Sequence, residues 1–459
     1  MRKFGVLATL VMVVALALPM FAVNAQDGFR PTFELGTEPA AEGPLAGVDP
    51  SGVTITWWHQ HGGAREEFLN PLVEEFNANN PWGITVEASN QGGYGDIYNK
   101  MITGIPTGEV PNIVVAYQNQ SAAYYLAGGL PQDMDVYVTD PTWGLNEAEV
   151  ADFVPGFFTQ DYTPDGAARI GFPPNRSIEG LYYNATALAE LGYDAPPTSW
   201  EQFGEMACAF TEQGWSGYDG DDTVGYSVRT DASNIAAGAF ANGGDIYSDG
   251  AFTYDSQATV DYVQFMVDLY NDGCAELVAE AYGDQNNFTA GRALFYMGST
   301  SGLPYVRSGI EEAYETPFEW SVTYFPYVDA PVADVYGASV SIVAATPEEE
   351  LASWLFIRWF TESEQQAQWA AVSNYFPVRF STQAGMDTMF SDFPQYEDAW
   401  GLLQGETRVE PQIASYDVIR DEARAAFDNL LAGGGDVETA MAELTITANE
   451  IMASFTPEG

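Results

Sequence analysis

Basic residues are scarce in this 459-residue chain, which has 15 lysines and arginines, 65 aspartates and glutamates, and a formal net charge of −50. Nucleic acids and anionic membrane surfaces are bound through clustered lysine and arginine, so the composition excludes both as expected partners. A hydrophobic content of 46% and an aromatic content of 14% exclude a largely disordered chain. At this length we expect two or three domains with substantial cores.

Histidine is also rare, and the two that occur, His59 and His61, fall in the stretch VTITWWHQHGG. A tetrahedral zinc site needs three or four protein ligands, so we expect no metal here, and nothing in the sequence calls for a cofactor. The alternation of Val53, Ile55 and Trp57 predicts a strand that ends at the Gly-Gly pair. The stretch is either a structural strand end or part of a pocket wall.

The N-terminus predicts export. A basic start with Arg2 and Lys3 precedes a long apolar run that closes on Val23-Asn24-Ala25, which is typical of a signal peptide covering residues 1–25. The alternative is an uncleaved membrane anchor. No cysteine stands directly after the apolar run, so we expect a periplasmic or extracellular protein without a lipid anchor.

Only two cysteines are present, Cys208 and Cys274. In an exported protein an even number favours a disulfide, and two separate buried thiols are the alternative.

The rest of the chain predicts an α/β fold. Residues 26–52 are rich in Pro, Gly and Glu and are interpreted as a flexible spacer. The strand-like runs ITVEASN and NIVVAYQ flank the helix-like YGDIYNKMITGI, which indicates a βαβ unit. Thr198 is predicted to open a helix through a capping box, and TVDYVQFMVDLYNDG is predicted to be an amphipathic helix.

Catalytic motifs of the common kinds are missing from the sequence. It has no G-x-S-x-G elbow, phosphate-binding loop or H-E-x-x-H pair. A glycoside hydrolase needs only two apposed carboxylates, so that class stays open in a chain with 65 acids.

Five stretches in order resemble a known family. They are ITWWHQHGG…LVEEFNANNP, VPNIVVAYQNQSAAYYLAGGLPQDMD, IGFPPNRSIEGLYYNATALAELGYDAPPTSWEQF, FTAGRALFYMGSTSG and YGASVSIVAATPEEELASWLFIRWFTESEQQAQWAAVSNYFPVR. Together they are similar to the extracellular solute-binding proteins (family 1) of ABC importers. Within that family they most resemble the glycerol-3-phosphate-binding proteins and, more distantly, the maltose-binding proteins.

The resemblance implies a two-lobed α/β periplasmic-binding-protein fold of type II, with a hinge and a ligand cleft between the lobes. Its expected first lobe comprises residues 53–171 and 337–378. The second comprises residues 172–336 and 379–459.

The resemblance also implies a set of ligand-binding positions in the cleft, namely Tyr94, Gln118, Ser177, Ser299, Gly337, Tyr375 and Arg408. Trp58 and His59 are expected at the cleft rim, whereas Trp57 is expected in the core. Gln118 stands where the glycerol-3-phosphate pattern has an acid, and Arg408 matches the family arginine only after a short gap. The tryptophan expected between the two cysteines is missing, and only Phe240 is there.

The function implied is that of a substrate-binding subunit of an ABC importer, without catalysis. Such a subunit would be a monomer that captures a sugar or a glycerol-3-phosphate-like polyol phosphate and delivers it to permease subunits in the membrane. An oligosaccharide-binding protein is the alternative within the class, and a secreted glycoside hydrolase is the alternative outside it.

Overall fold

A computed structural model describes residues 29–131 and 133–455. The strands are β1 Thr54–His59, β2 Thr85–Asn90, β3 Ile113–Ala116, β4 Ser177–Asn184, β5 Val224–Val228, β6 Tyr247–Ser248, β7 Ala251–Phe252, β8 Ala275–Leu277, β9 Ala293–Ser299, β10 Trp320–Thr323, β11 Val332–Tyr336, β12 Ser339–Ile342 and β13 Glu406–Val409.

The helices surround these strands. They are α1 Ala64–Asn79, α2 Tyr94–Gly104, α3 Gln118–Leu126, α4 Asp135–Val138, α5 Glu147–Asp152, α6 Pro155–Phe158, α7 Ala185–Glu190, α8 Trp200–Gln213, α9 Ala232–Ala241, α10 Gln257–Asn271, α11 Gly283–Thr289, α12 Leu303–Ala313, α13 Pro347–Phe360, α14 Ser363–Ser373, α15 Asp387–Asp392, α16 Pro394–Gly401, α17 Tyr416–Gly433 and α18 Val437–Ser454. Short 3-10 helices lie at Thr32–Glu34, Ile105–Thr107, Thr300–Gly302, Phe380–Gly385 and Leu402–Gln404.

Two separate large sheets form the framework. The four-stranded sheet has the order β12-β3-β1-β2, in which β1 runs parallel to β2 and β3 and β12 runs antiparallel to β3. The seven-stranded sheet has the order β13-β11-β4-β9-β5-β8, and β10 also pairs with β4. We call the part built on the four-stranded sheet the first lobe and the part built on the seven-stranded sheet the second lobe.

The chain passes between the sheets more than once. Phe172 bridges to Val340 beside the four-stranded sheet, and five residues later β4 begins in the seven-stranded sheet. The return follows β11, where Gly337 and Ala338 lead directly into β12. A third passage follows α14, where Phe376 bridges to Arg176. These passages lie side by side and form the connection between the lobes.

Most local predictions from the sequence are confirmed. The βαβ unit β2-α2-β3 is confirmed. Helix α10 buries Val260, Val263 and Val267 on one face, as its periodicity predicts. The capping residue of α8 is Ser199, whose side chain accepts from the Gln202 amide, so the prediction of Thr198 as cap was wrong by one residue.

The prediction of a flexible spacer does not fit residues 29–52. Leu35 and Leu45 are buried in the same hydrophobic core as α1 and α13. The backbone amide of Thr32 donates to the Glu362 carboxylate, and Arg358 donates to the Arg30 carbonyl at 2.7 Å. The buried side chains of Leu35 and Leu45 hold this Pro- and Gly-rich segment against the core, although its composition alone indicates disorder. The predicted signal peptide, residues 1–25, lies outside the described residues.

Cys208 and Cys274 form the predicted disulfide, with their Cα atoms 4.7 Å apart. It joins α8 to the turn between α10 and β8. Within residues 29–131 and 133–455, no helix combines the length and apolar character that a bilayer crossing requires.

Candidate functional site between the lobes

Serine hydroxyls meet at the end of two paired strands of the second lobe. Ser177 begins β4 and Ser299 ends β9, and the Ser299 hydroxyl donates to that of Ser177 at 3.1 Å. The Ser299 hydroxyl is also 3.0 Å from that of Ser301, in the turn before α12. The structure therefore brings two sequence-predicted site residues together and adds a third hydroxyl.

Gln118 and Gly337 meet at the connection between the lobes. The Gln118 amide donates to the Gly337 carbonyl at 3.3 Å and to Asp161 at 3.2 Å. Gly337 has a φ of 143°, and an added Cβ would lie 3.4 Å from the Ser177 backbone nitrogen. Glycine is required there because other residues rarely adopt this φ. Gln118, Gly337 and Ser177 are thus neighbours.

Arg176 ties this connection together from within. Its guanidinium is fully buried and donates to Asp161 at 2.8 Å, to Ser339 at 2.9 Å and to Gln160 at 2.7 Å. Further bonds reach the Asn175 and Ala338 carbonyls at 3.0 Å. All five donors of the guanidinium are used. Burial lowers the pKa of Arg176, and the charge of Asp161 opposes that shift.

Tyr94 lies on the first-lobe side of the cleft at the start of α2. Its hydroxyl accepts from the Gln60 side chain at 2.8 Å, and its ring is 4.4 Å from that of Tyr117. Tyr117 immediately precedes Gln118, so the Tyr94–Tyr117 pair lies next to Gln118 on the first-lobe side of the cleft.

Tyr375 contacts the first-lobe residue Arg65. The Arg65 guanidinium lies 4.8 Å from the centroid of the Tyr375 ring and 6.0 Å from that of Tyr305 on α12. It donates to the Ser373 carbonyl at 2.7 Å and reaches the Ser301 carbonyl at 3.5 Å. Among the arginines within residues 29–131 and 133–455, Arg65 alone has no carboxylate within ion-pairing distance.

Carboxylates dominate the second-lobe wall beside the serines. Glu179 follows Ser177 on the same face of β4 and is opposite Ser299 in the strand register. Glu410 accepts from the hydroxyls of Ser233 and Tyr416 and from Arg420. Arg420 also pairs with Asp231 at the start of α9, at 3.3 Å.

A cavity of about 90 Å³ lies between these walls. Both lobes line it, with Tyr117, Gln118, Asn119, Gln120, Gln160, Val335, Glu410, Pro411, Tyr416, Asp417 and Arg420. Asp417 joins the two sides, because it accepts from Asn119 and from Gln120, the latter at 3.1 Å. Most of the lining residues carry polar or charged side chains, and amide groups and charges converge on the cavity.

A larger hollow of about 410 Å³ lies between α17 and α18. It is lined by residues of those helices and their connection, from Glu422 to Thr447, and none of the sequence-predicted site residues is among them. We therefore place the candidate site between the lobes.

The rim prediction for β1 needs correction. His59 is fully buried, with its ring 5.4 Å from that of Trp57, so it does not line a rim. Trp57 is in the core, as predicted, and Trp58 is half-buried against the hydrophobic cluster beneath α2 and α3. His61 instead reaches a small gap beside Gln60, Tyr94 and Asn175. Burial lowers the pKa of His59 to about 4 and that of His61 to about 3.

Arg408 is held on the second lobe by its own neighbours. It pairs with Glu406 at 2.9 Å, donates to the Gly244 carbonyl at 2.6 Å, and lies 5.9 Å from the Phe240 ring. It does not line the cavity between the lobes. Its role as a ligand contact stays a prediction.

Several residues of the cleft were missed at the sequence level, namely Gln60, Arg65, Arg176, Glu179, Glu410 and Arg420. Of these, Glu179 carried a local signal, because it is the one charged residue of strand β4 and follows Ser177 by two positions. The described residues contain no group of three His, Cys, Asp or Glu side chains placed to hold a metal ion.

Comparison with known proteins agrees with this architecture. The sequence pattern of the bacterial extracellular solute-binding proteins matches residues 71–397, and the chain belongs to that family. It is similar to the sn-glycerol-3-phosphate-binding periplasmic protein UgpB of Rhizobium meliloti, with 24% identity over 87% of this chain and 94% of the relative. The Escherichia coli UgpB is 23% identical over 75% of this chain and 77% of its own.

Solved structures show the same fold. The cyclic α-maltosyl-1,6-maltose binding protein of Arthrobacter globiformis superposes with a TM-score of 0.74 at 19% identity, covering 88% of this chain and 100% of that one. The sugar-binding protein MalE of Xanthomonas citri gives a TM-score of 0.74 at 19% identity, covering 87% and 98%. UgpB of Mycobacterium tuberculosis gives 0.72 at 20% identity, covering 87% and 98%. The predicted two-lobed α/β fold of type II is confirmed.

Proposed function

We propose that this protein is the substrate-binding subunit of an ABC importer and that it captures a sugar or polyol between its lobes for delivery to permease subunits. The observation that carries the proposal is the polar cavity to which Gln118 contributes from one lobe and Glu410 and Arg420 from the other. Side chains from two lobes can surround a solute only when the lobes close on it. Solute binding therefore favours the closed conformation of the protein.

The ligand-contacting set that we propose is Tyr94, Gln118, Ser177, Ser299, Gly337 and Tyr375. Amides and hydroxyls both donate and accept, which suits a ligand rich in hydroxyl groups. Tyrosine faces add apolar contact for a sugar ring. UgpB relatives are named for glycerol-3-phosphate and MalE for sugars, so polyol phosphates and oligosaccharides belong in the same test.

The lobes that we propose as moving units are residues 53–171 with 337–378, and 172–336 with 379–455. Residues 29–52 travel with the first of them through Leu35 and Leu45. We further propose that the protein acts as an exported monomer without a lipid anchor and that it performs no catalysis.

A thermal-shift screen over sugars, alditols, oligosaccharides and their phosphate esters tests the proposal, followed by calorimetric titration of any ligand found. A ligand at 100 times its Kd adds about 2.7 kcal/mol to the free energy of unfolding. We expect a single site per chain. Sustained turnover of chromogenic glycosides would contradict the proposal and favour a hydrolase.

A further inference from the structure

We propose that the solute carries a positively charged ammonium group, which binds beside the Glu179 carboxylate on the second-lobe wall of the cleft. This inference rests on the proposed function, since it specifies the chemistry of the solute that the same cleft captures. It follows from how the charges on that wall are paired.

Two arginines on this wall share three carboxylates. Arg229 pairs with Asp284 at 3.2 Å and with Asp231 at 3.6 Å. Arg420 pairs with Asp231 at 3.3 Å and with Glu410. The paired groups therefore already leave an excess of one negative charge.

Two further carboxylates on the same wall accept no side-chain hydrogen bond and form no ion pair within the described part of the chain. Asp334 is 2% exposed, and neither of its oxygens has a hydrogen-bond partner in the described part of the chain. Glu179 is 7% exposed and, among residues 29–131 and 133–455, has no donor at hydrogen-bonding distance. The β4-β11 register, in which Ile178 faces Val335, places Asp334 beside Glu179. Burying polar groups without partners is costly, so their burial here points to a partner that arrives from the cleft.

Of the two carboxylates, Glu179 is the one beside the proposed ligand-contacting serines, because it lies on the same strand face as Ser177 and opposite Ser299. The charged and titratable groups that surround it from the adjoining elements are Asp334 on β11, Asp231 at the start of α9, Glu410 after β13, Arg229 after β5, Arg420 on α17, and the phenols of Tyr182, Tyr262 and Tyr296. A phosphate placed here would face unpaired acids, whereas an ammonium would compensate them.

Proton release should accompany binding. Burial, together with the nearby charges of Asp231 and Glu410, raises the pKa of Glu179 to about 8. At neutral pH the free protein therefore holds a proton on Glu179, and a cation beside it drives that proton off. Affinity for a fixed cation should rise about tenfold per pH unit from pH 6 up to about pH 8 and then level off.

Matched probes test the inference. We would titrate sorbitol against glucamine, and choline against its neutral isostere 3,3-dimethylbutan-1-ol, each by calorimetry between pH 6 and 9. Choline keeps its charge throughout, so any pH dependence of its binding belongs to the protein. We expect at least one charged probe to bind at least tenfold more tightly than its neutral partner at pH 8.5.

Two variants locate the effect. Glu179→Gln should reduce the preference for the charged probe to less than threefold and remove its pH dependence. Glu205→Gln, on the exposed surface of α8, makes the same chemical change away from the cleft and should alter neither. Unchanged melting temperatures in the variants would show that both are folded.

The outcomes separate this inference from the proposed function. Equal binding of charged and neutral probes, or a preference that survives in Glu179→Gln, overturns the ammonium while leaving a sugar- or polyol-binding protein. Tighter binding of a phosphate ester than of its parent polyol overturns it in the same way. Failure of every sugar, alditol, amine and phosphate probe to bind overturns the proposed function as well.

Discussion

The guanidinium of Arg65, on the first helix of the first lobe, lies 4.8 Å from the centroid of the Tyr375 ring and also contacts the carbonyl of Ser301 on the second lobe. One side chain thus holds the turn before α12 against the first lobe. Among the described residues no carboxylate pairs with Arg65, and we expect its contact with Ser301 to form when the lobes close around a ligand.

Arg65→Ala should therefore weaken ligand binding without unfolding the protein. A cation–π contact contributes about 0.5–2 kcal/mol, so we expect an affinity loss of about 3- to 30-fold by calorimetry. Arg424→Ala is a suitable control, since Arg424 is an exposed arginine of α17. Equal effects of the two substitutions would contradict a role in lobe closure.

The two histidines predict a pH dependence that can be measured directly. Both have pKa values lowered by burial, to about 4 for His59 and about 3 for His61, with a smaller effect of Arg65 on His61. The unfolded chain binds these protons near pH 6.5, so stability is complete above that pH and falls as the pH is lowered towards 4. The loss reaches about 1.4 kcal/mol per pH unit for each histidine.

NMR titration of the imidazole resonances checks this, because the sequence contains no other histidine. We expect neither ring to titrate between pH 7 and 5. A midpoint near 6.5 for either ring would contradict its burial.

The buried pair between the lobes predicts a large stability effect. Asp161→Asn removes the charge that compensates Arg176, which is fully buried, and should cost about 3–5 kcal/mol in denaturant unfolding. Asp421→Asn breaks an exposed pair with Arg424 and should cost less than about 1 kcal/mol. Similar costs for the two changes would show that the buried pair does not stabilise the connection.

The disulfide predicts a second stability effect. Replacing both Cys208 and Cys274 with Ala should lower the free energy of unfolding by up to about 4 kcal/mol, since the bridge restricts the unfolded chain. Alkylation of the denatured, non-reduced protein should label no thiol by intact mass. Two labelled thiols would contradict the bridge.

Arg408 distinguishes phosphate esters from neutral ligands. Because Glu406 and the Gly244 carbonyl already hold its guanidinium, we expect Arg408→Ala to change the affinity for a neutral sugar by less than about threefold. A loss of about 2–4 kcal/mol that is restricted to phosphate esters would instead establish it as a phosphate contact.

Much of the fold could be predicted from the sequence, but few of the contacts in the cleft could be. The strand end at Ser177 and the turn at Ser299 were recognisable because each lies in a characteristic local stretch, and the structure brings them together. Arg176 was missed because its partners Asp161 and Ser339 lie 15 and 163 residues away along the chain. Nothing local distinguishes it from a surface arginine.

The errors have a physical pattern too. His59 continues the buried face of β1 that Ile55 and Trp57 define, so the strand's alternation places it inside rather than at the rim. The segment around Leu35 and Leu45 was wrongly predicted to be flexible. Its average composition does not reveal that these two leucines are buried in the hydrophobic core. In both cases the surrounding sequence predicted exposure, whereas the individual side chain packs into a core.

The pairing of β12 with β3 has a consequence for how the protein is made. Val340 faces Val115 in that register. The edge strand β12 of the four-stranded sheet is therefore synthesised more than two hundred residues after its partner β3. A ribosome-bound fragment that ends before β12 cannot complete the four-stranded sheet of the first lobe. Contacts between residues so distant along the chain also slow folding. The first sheet therefore cannot be completed before β12 has been synthesised, a property that suits passage through a narrow export channel before the native state forms.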